Sequence, residues 1–209
     1  MRISYKSGWM VMAAALAMAP AAANAQAARD SGLIVSSVEQ AVRQPAARIE
    51  NFALTVDVSD RALYVMSGER VVRRFPVSVG EDNWPTPTGS FRIRHMIWNP
   101  SWTPPPSSWA RGKKREEPGS PGNPMGRVKM FFQEPDYYIH GSGAISSLGN
   151  ARSHGCIRMR NEDAVELARL VMINGGDPRN PEWFQQTIAN RTTSRDVVLP
   201  RPVPVRIRA

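Results

Sequence analysis

The feature that most limits the fold is a run of alternating apolar and polar residues that begins at Ala53 and is broken only by tight-turn signals. Leu54, Val56 and Val58 alternate with polar neighbours, Ser59-Asp60 turns the chain, and Ala62-Leu63-Tyr64-Val65-Met66 follows. Ser67-Gly68 turns it again into residues 71–79. A period of two belongs to strands with one buried face. Turns this short leave adjacent strands no choice but to run antiparallel. The segment therefore predicts a three-stranded meander. Trp84-Pro85-Thr86-Pro87-Thr88-Gly89 reads as a rigid loop, with further strands expected over 90–97, 128–132 and 137–140.

Helical signals come late. Asn161 is placed as an N-cap, with Glu162 and Asp163 at the positive end of the helix dipole, an apolar face of Val165, Ala168, Val171 and Met172, and Gly175 as the stop. A second helix is expected from Asn180-Pro181 to about Ala189. A last strand over 203–208 is flanked by prolines, which places it at a sheet edge, where a missing N–H is tolerated. Residues 99–123 are dense in proline, glycine and charge and contain Trp102 and Trp109, with Trp98 just before them. So long a loop inside a compact domain is usually functional, which predicts a lid over about 98–124. The expected fold is mainly β, with a few short helices and this insertion.

The N-terminus reads as an export signal. Arg2 and Lys6 precede the apolar stretch 9–20, and Ala23-Asn24-Ala25 offers small residues for cleavage after Ala25. A stretch of about a dozen residues is well short of the roughly 20 that a membrane span needs. The expectation is a signal over 1–25, a linker or short helix over 26–50, and a domain over 51–209 that works in the periplasm or cell envelope with no membrane span after cleavage. The formal net charge is +9, with one cluster at Arg111, Lys113, Lys114 and Arg115 followed at once by Glu116 and Glu117. No zinc-finger spacing or nucleic-acid motif accompanies that charge, so nucleic acid is not an expected partner. An anionic cell wall suits it better.

Export gives the single cysteine its weight. Cys156 has no intramolecular partner, so it is either an interchain bridge or a thiol kept free for use. It lies in Ser153-His154-Gly155-Cys156-Ile157-Arg158-Met159, downstream of Tyr138-Ile139-His140-Gly141, so two of the chain's three histidines are near it in sequence. A thiol attacks as thiolate, and an imidazole that accepts its proton would form a thiolate–imidazolium pair. His140, which ends a separate strand, is the candidate base. His154, two residues from the nucleophile, is placed as shaping the site. Gly155 would let backbone N–H groups face an oxyanion. Ser153 is a candidate to bond His154, cap the turn or touch substrate. Arg158 is either a bidentate partner for a substrate carboxylate or an ion pair with Asp163 or Glu162. His95 has no motif around it. One cysteine, with neither CxxC nor HExxH spacing, resembles no metal site, and no cofactor is expected.

Together these motifs resemble the active-site signature of the L,D-transpeptidase (YkuD) catalytic domain. The likeness extends to Val56-Asp57-Val58-Ser59, Leu63-Tyr64-Val65, Pro76-Val77-Ser78-Val79-Gly80, Pro85-Thr86-Pro87-Thr88-Gly89 and Pro121-Gly122-Asn123-Pro124-Met125-Gly126. The lid and the closing proline-rich strand are similar to a subgroup with a capping insertion. The resemblance implies a β-sandwich-like fold and ping-pong acyl transfer. Cys156 would attack the carbonyl of the third residue of a peptidoglycan tetrapeptide stem, usually diaminopimelate, and expel D-alanine. His140 would take the thiol proton with its ring oriented by the Gly141 carbonyl, and the N–H groups of His154, Gly155 and Cys156 would form the oxyanion hole. An amine of a second stem, or of an outer-membrane protein, would resolve the thioester. Water in that role would make the chain an L,D-carboxypeptidase, and loss of catalysis would leave a peptidoglycan-binding protein.

Overall fold

The computed structural model describes residues 39–40 and 47–209, all within one compact unit spanning Ile34–Ala209. The expected signal over 1–25 and most of the expected linker over 26–50 lie outside the described residues. From Phe52 onward ten strands and two α-helices follow in order: β1 (Phe52–Asp57), β2 (Ala62–Ser67), β3 (Arg70–Pro76), β4 (Val79–Gly80), β5 (Gly89–Trp98), β6 (Val128–Gln133), β7 (Tyr137–Ser142), β8 (Ala151–Ser153), β9 (Ile157–Arg160), α1 (Asn161–Asn174), α2 (Pro181–Ala189) and β10 (Arg195–Arg208). The expected mainly β fold is the observed one.

Eight strands form one sheet in the order β3-β2-β1-β10-β5-β6-β7-β9, and β4 pairs with β8 in a separate parallel ribbon. The meander is β1 to β3, antiparallel throughout. Its first turn is held by Asp57, whose carboxylate accepts from Ser59 Oγ (2.7 Å) and Asp60 N (2.9 Å). The same carboxylate accepts from Arg208 Nε at 2.9 Å, which ties the last strand to the first. These bonds, the Asp60 N–H foremost, hold the Asp57 carboxyl below its ordinary pKa.

The closing strand corrects two expectations. It starts at Arg195 rather than 203, and it lies inside the sheet between β1 and β5 rather than at an edge. Its register with β5 breaks between Val198 and Val203, and Pro200 and Pro202 fall in that break. Prolines are tolerated there because no regular ladder bond is required of them. The break divides the sheet: residues 203–207 continue the half that contains β1 to β3, and 195–198 continue the half that contains β6, β7 and β9. One hydrophobic cluster draws Leu54, Val56, Leu63 and Phe75 from the first half, Met130, Ile139, Ile157 and Met159 from the second, and Leu167, Val171 and Met172 from α1. That shared core is what gives a continuous sheet its sandwich-like character.

α1 spans the expected residues, but its start differs from expectation. Arg160 is the flanking residue and makes no side-chain cap, while Asn161 is already helical. The Asn161 carbonyl oxygen accepts from Arg127 N at 3.1 Å instead, lying where a Cβ on Gly126 or Gly141 would collide with it. α1 ends before Gly175, as expected, although the left-handed residue is Gly176 (φ +87°). α2 behaves as expected, with Asn180 Oδ1 accepting from Trp183 N at 2.9 Å and Pro181 in the first turn.

The insertion between β5 and β6 is pinned rather than free. Trp102 and Glu116 exchange backbone bonds of 2.8 and 2.9 Å, and a 3₁₀ turn covers Ser108–Ala110. Asn99 (φ +46°) anchors its base by donating from Nδ2 to the carbonyls of Thr187 and Asn190, both at 2.8 Å. Asn123 donates to Pro100 O at 2.8 Å and accepts from Met125 N at 2.9 Å, closing the far end.

Candidate active site

Three adjacent strands carry the candidate chemistry. β6 and β7 are antiparallel with Lys129 opposite His140, and β7 and β9 are parallel with His140 opposite Arg158. Cys156 precedes β9 directly, so the ladder brings the thiol to the β7 strand that carries His140. His140, Cys156, Arg158, His154, Lys129 and Trp109 line one cavity of about 1030 Å³ beneath the insertion.

His140 is buried, 2% exposed, and its Nδ1 lies 2.8 Å from the Gly141 carbonyl. A carbonyl can only accept, so Nδ1 carries the proton and Nε2 is left with its lone pair. Burial pushes the imidazole pKa down to about 3, and the positive charges of Arg158 and Lys129 push the same way. Burial likewise pushes the Cys156 thiol up to about 11, against the opposing effect of hydrogen bonds from Tyr138 and the charge of Arg158. Both shifts run against the expected thiolate–imidazolium pair. Burial thus works against a charge on either group. The thiol donates instead to the Asp136 carbonyl at 3.3 Å.

The loop before the nucleophile is shaped by Ser153. This residue is buried, 1% exposed, and its hydroxyl donates to Cys156 O (2.5 Å) and accepts from Gly155 N (3.1 Å). Of the roles expected for Ser153, the one seen here is turn capping: its hydroxyl is used in holding the loop. The Gly155 N–H, expected at the oxyanion, is the donor that Ser153 consumes. Gly155 has φ +102°, and a Cβ there would run into the Tyr137 ring, so both backbone and space demand glycine.

His154 is held by tryptophans. Trp109 of the insertion stacks on it at 4.0 Å and 13°, and Trp84 meets it edge-on at 5.9 Å. Trp102 continues the stack behind Trp109 at 6.4 Å, and Lys113 Nζ lies 4.9 Å from the Trp109 ring. Desolvation under this cover lowers the His154 pKa, with help from Arg158 and Lys113 and against Glu81.

Arg158 pairs with neither Asp163 nor Glu162. Its Nη1 donates to Arg152 O at 3.1 Å, while Glu162 is approached, at 4.0 Å, by Arg160. His95 lies apart from the cavity, bridging Glu134 (3.1 Å) and Asp196 (2.9 Å). Among the described residues no three His, Cys, Asp or Glu side chains gather as a metal site. Sequence reasoning passed over Tyr138, Lys129 and the partner of Trp109. Tyr138 was within reach of it: two residues before His140 on the same strand, it presents its ring to that imidazole at 5.5 Å.

The signature seen in this geometry is matched across the domain. The L,D-transpeptidase catalytic domain family, YkuD, covers residues 51–203. The chain belongs to this family. Among relatives with L,D-transpeptidase in their names, Bacillus subtilis (strain 168) YkuD is 31% identical over 120 residues, 57% of this chain and 60% of that protein. Escherichia coli (strain K12) YbiS is 32% identical over 120 residues, 54% of this chain and 39% of that protein. This L,D-transpeptidase domain therefore spans about three fifths of the first relative and two fifths of the second. A solved Mycobacterium smegmatis L,D-transpeptidase aligns more loosely, with a TM-score of 0.48 and 15% identity over 76% of this chain and 58% of that one; the family assignment rests on the sequence matches alone.

Proposed function

We propose that this chain is a cysteine acyltransferase acting on peptidoglycan stem peptides in the cell envelope. The observation that carries the reading is a thiol that shares its cavity with a buried imidazole whose Nδ1 is spent on Gly141, leaving Nε2 as the one ring atom able to take a proton. Family membership supports acyl transfer as the reaction class.

In the proposed cycle the Cys156 sulfur attacks the carbonyl of the third residue of a tetrapeptide stem as its proton passes to His140 Nε2. In this reading the two groups exchange their proton during attack rather than beforehand. The oxyanion falls to the N–H groups of His154 and Cys156, since that of Gly155 is committed to Ser153. Collapse breaks the amide, and the D-alanine amine leaves with the proton from the imidazolium. An incoming amine then attacks the thioester while His140 accepts its proton, and the thiolate leaving group is reprotonated. The acceptor is a second stem peptide or an envelope protein. An amine acceptor is favoured over water to the extent that the insertion, which packs Trp109 on His154 beside the nucleophile, excludes water from the thioester. Export through the segment 1–25 belongs to the same reading.

The test is mass spectrometry of products after incubation with a disaccharide-tetrapeptide, beside Cys156→Ala. A crosslinked dimer lacking one D-alanine, absent with the variant, is the expected result. Tripeptide alone would assign the hydrolytic reaction. Product that survives Cys156→Ala would overturn the mechanism.

A further inference from the structure

We propose that Lys129 is a carboxylate anchor for the acyl donor, working with Arg158 from the opposite side of His140. The inference rests on the tetrapeptide reading above and names what recognises that donor.

Lys129, His140 and Arg158 sit in register across β6, β7 and β9 and all line the same cavity. Adjacent strands are about 4.8 Å apart, so the two cationic residues are separated by roughly 10 Å at the backbone, with the imidazole between them. Lys129 is half-buried, and its Nζ lies 5.1 Å from the Phe131 ring and 5.6 Å from the Tyr138 ring. These ring faces stabilise the ammonium only partly. Among the described residues no carboxylate pairs with either Lys129 or Arg158. Asp196, whose charge acts on Lys129 from a distance, is bonded to His95 Nε2 at 2.9 Å. Glu81, whose charge acts on Arg158, makes no ion pair with it. Desolvating a cation without a directly paired counter-charge is costly, so two such residues flanking a reaction site fit a ligand that brings the anions.

A tetrapeptide ending in D-alanine brings a terminal carboxylate on the leaving side of the scissile amide. A diaminopimelate third residue brings a second, on its side chain. Lys129 would engage one and Arg158 the other. The row of residues thus sets the donor's direction across the thiol, and it favours a third residue with a free side-chain carboxylate.

The test is calorimetric binding to full-length protein carrying Cys156→Ala, with and without Lys129→Met. The ligands are a diaminopimelate tetrapeptide, the same peptide amidated at its C-terminus, and the same peptide amidated at its side chain. The expected result is about tenfold weaker binding of the unmodified peptide by Lys129→Met. One amidated peptide should show no further loss, and which one identifies the carboxylate. Lys129→Arg, which keeps the charge, should restore most of the affinity; failure to do so would argue for a packing role and against the anchor. Equal weakening of all three peptides, or none, would overturn the inference. Turnover by the unsubstituted chain is measured alongside: its absence, with no binding of any peptide, sinks the functional reading, whereas turnover with an indifferent Lys129→Met sinks this inference alone.

Discussion

The sheet floor and the insertion above the cavity position their side chains by different means. On the floor, His140, Arg158 and Lys129 are placed by ladder bonds of three neighbouring strands and by a shared core beneath. Above it, Trp109 reaches His154 from a loop held by one backbone bridge, short local turns, an aromatic stack and the amides of Asn99 and Asn123. Elements held by many cooperative bonds keep catalytic geometry. Elements held by a few side-chain contacts sit at the low-stability end of a structure and can admit large ligands. The division assigns the chemistry to the floor and access to the insertion.

That division is broken most severely at the thiol. Cys156→Ala should abolish acyl transfer to below detection while leaving the fold intact, checked by product analysis and circular dichroism. His140→Ala comes next, with a loss of about 10³-fold in kcat/KM and little change in donor affinity, since removing a general base typically costs 10²–10⁴-fold. Retention of most activity by His140→Ala would move the base elsewhere, with His154 the remaining candidate.

The opposed shifts of thiol and imidazole give a prediction about pH. Burial raises the thiol pKa to about 11, so alkylation of Cys156 by iodoacetamide should keep rising beyond pH 9 rather than level off near neutrality. Linkage runs in the matching direction on both sides. The folded-state thiol pKa is above the unfolded one, so its contribution to stability is complete below about pH 9 and lost as pH rises toward 11. The His140 pKa is depressed from 6.5 to about 3, so the unfolded chain binds the extra proton first and stability falls as pH drops through that window. Denaturant midpoints from pH 3 to 10 would check this, and His140→Gln should flatten the acid limb. An alkylation midpoint near pH 7 would instead favour a preformed ion pair.

The smallest effect should come from the insertion. Trp109→Ala removes one stacked ring from His154 and should raise the donor KM by about two- to tenfold with kcat nearly unchanged, in line with the 0.5–1.5 kcal/mol of an aromatic pair. A fall in kcat as large as that of His140→Ala would make the insertion part of the chemistry.

What the sequence made legible follows the same division. The meander, the α2 cap and the Cys156 and His140 motifs were readable because each is a local pattern: period two, Asn-Pro before a helix, a lone thiol between histidines. Asn161 was misread because its side chain answers to Arg127, 34 residues away, rather than to its own helix. β10 was shortened and sent to an edge because its prolines signal interruption, whereas their tolerance comes from a register break with β5. Lys129 could not be found at all, since nothing local to β6 says which residue it faces on β7. The Trp109–His154 stack spans 45 residues and was equally hidden.

The most direct test of the central claim is the intact mass of the protein shortly after mixing with tetrapeptide, followed by peptide mapping. The expected result is a transient mass increase equal to the donor less D-alanine, located on Cys156 and absent from Cys156→Ala. Turnover with no adduct, or an adduct mapped to another residue, would contradict it.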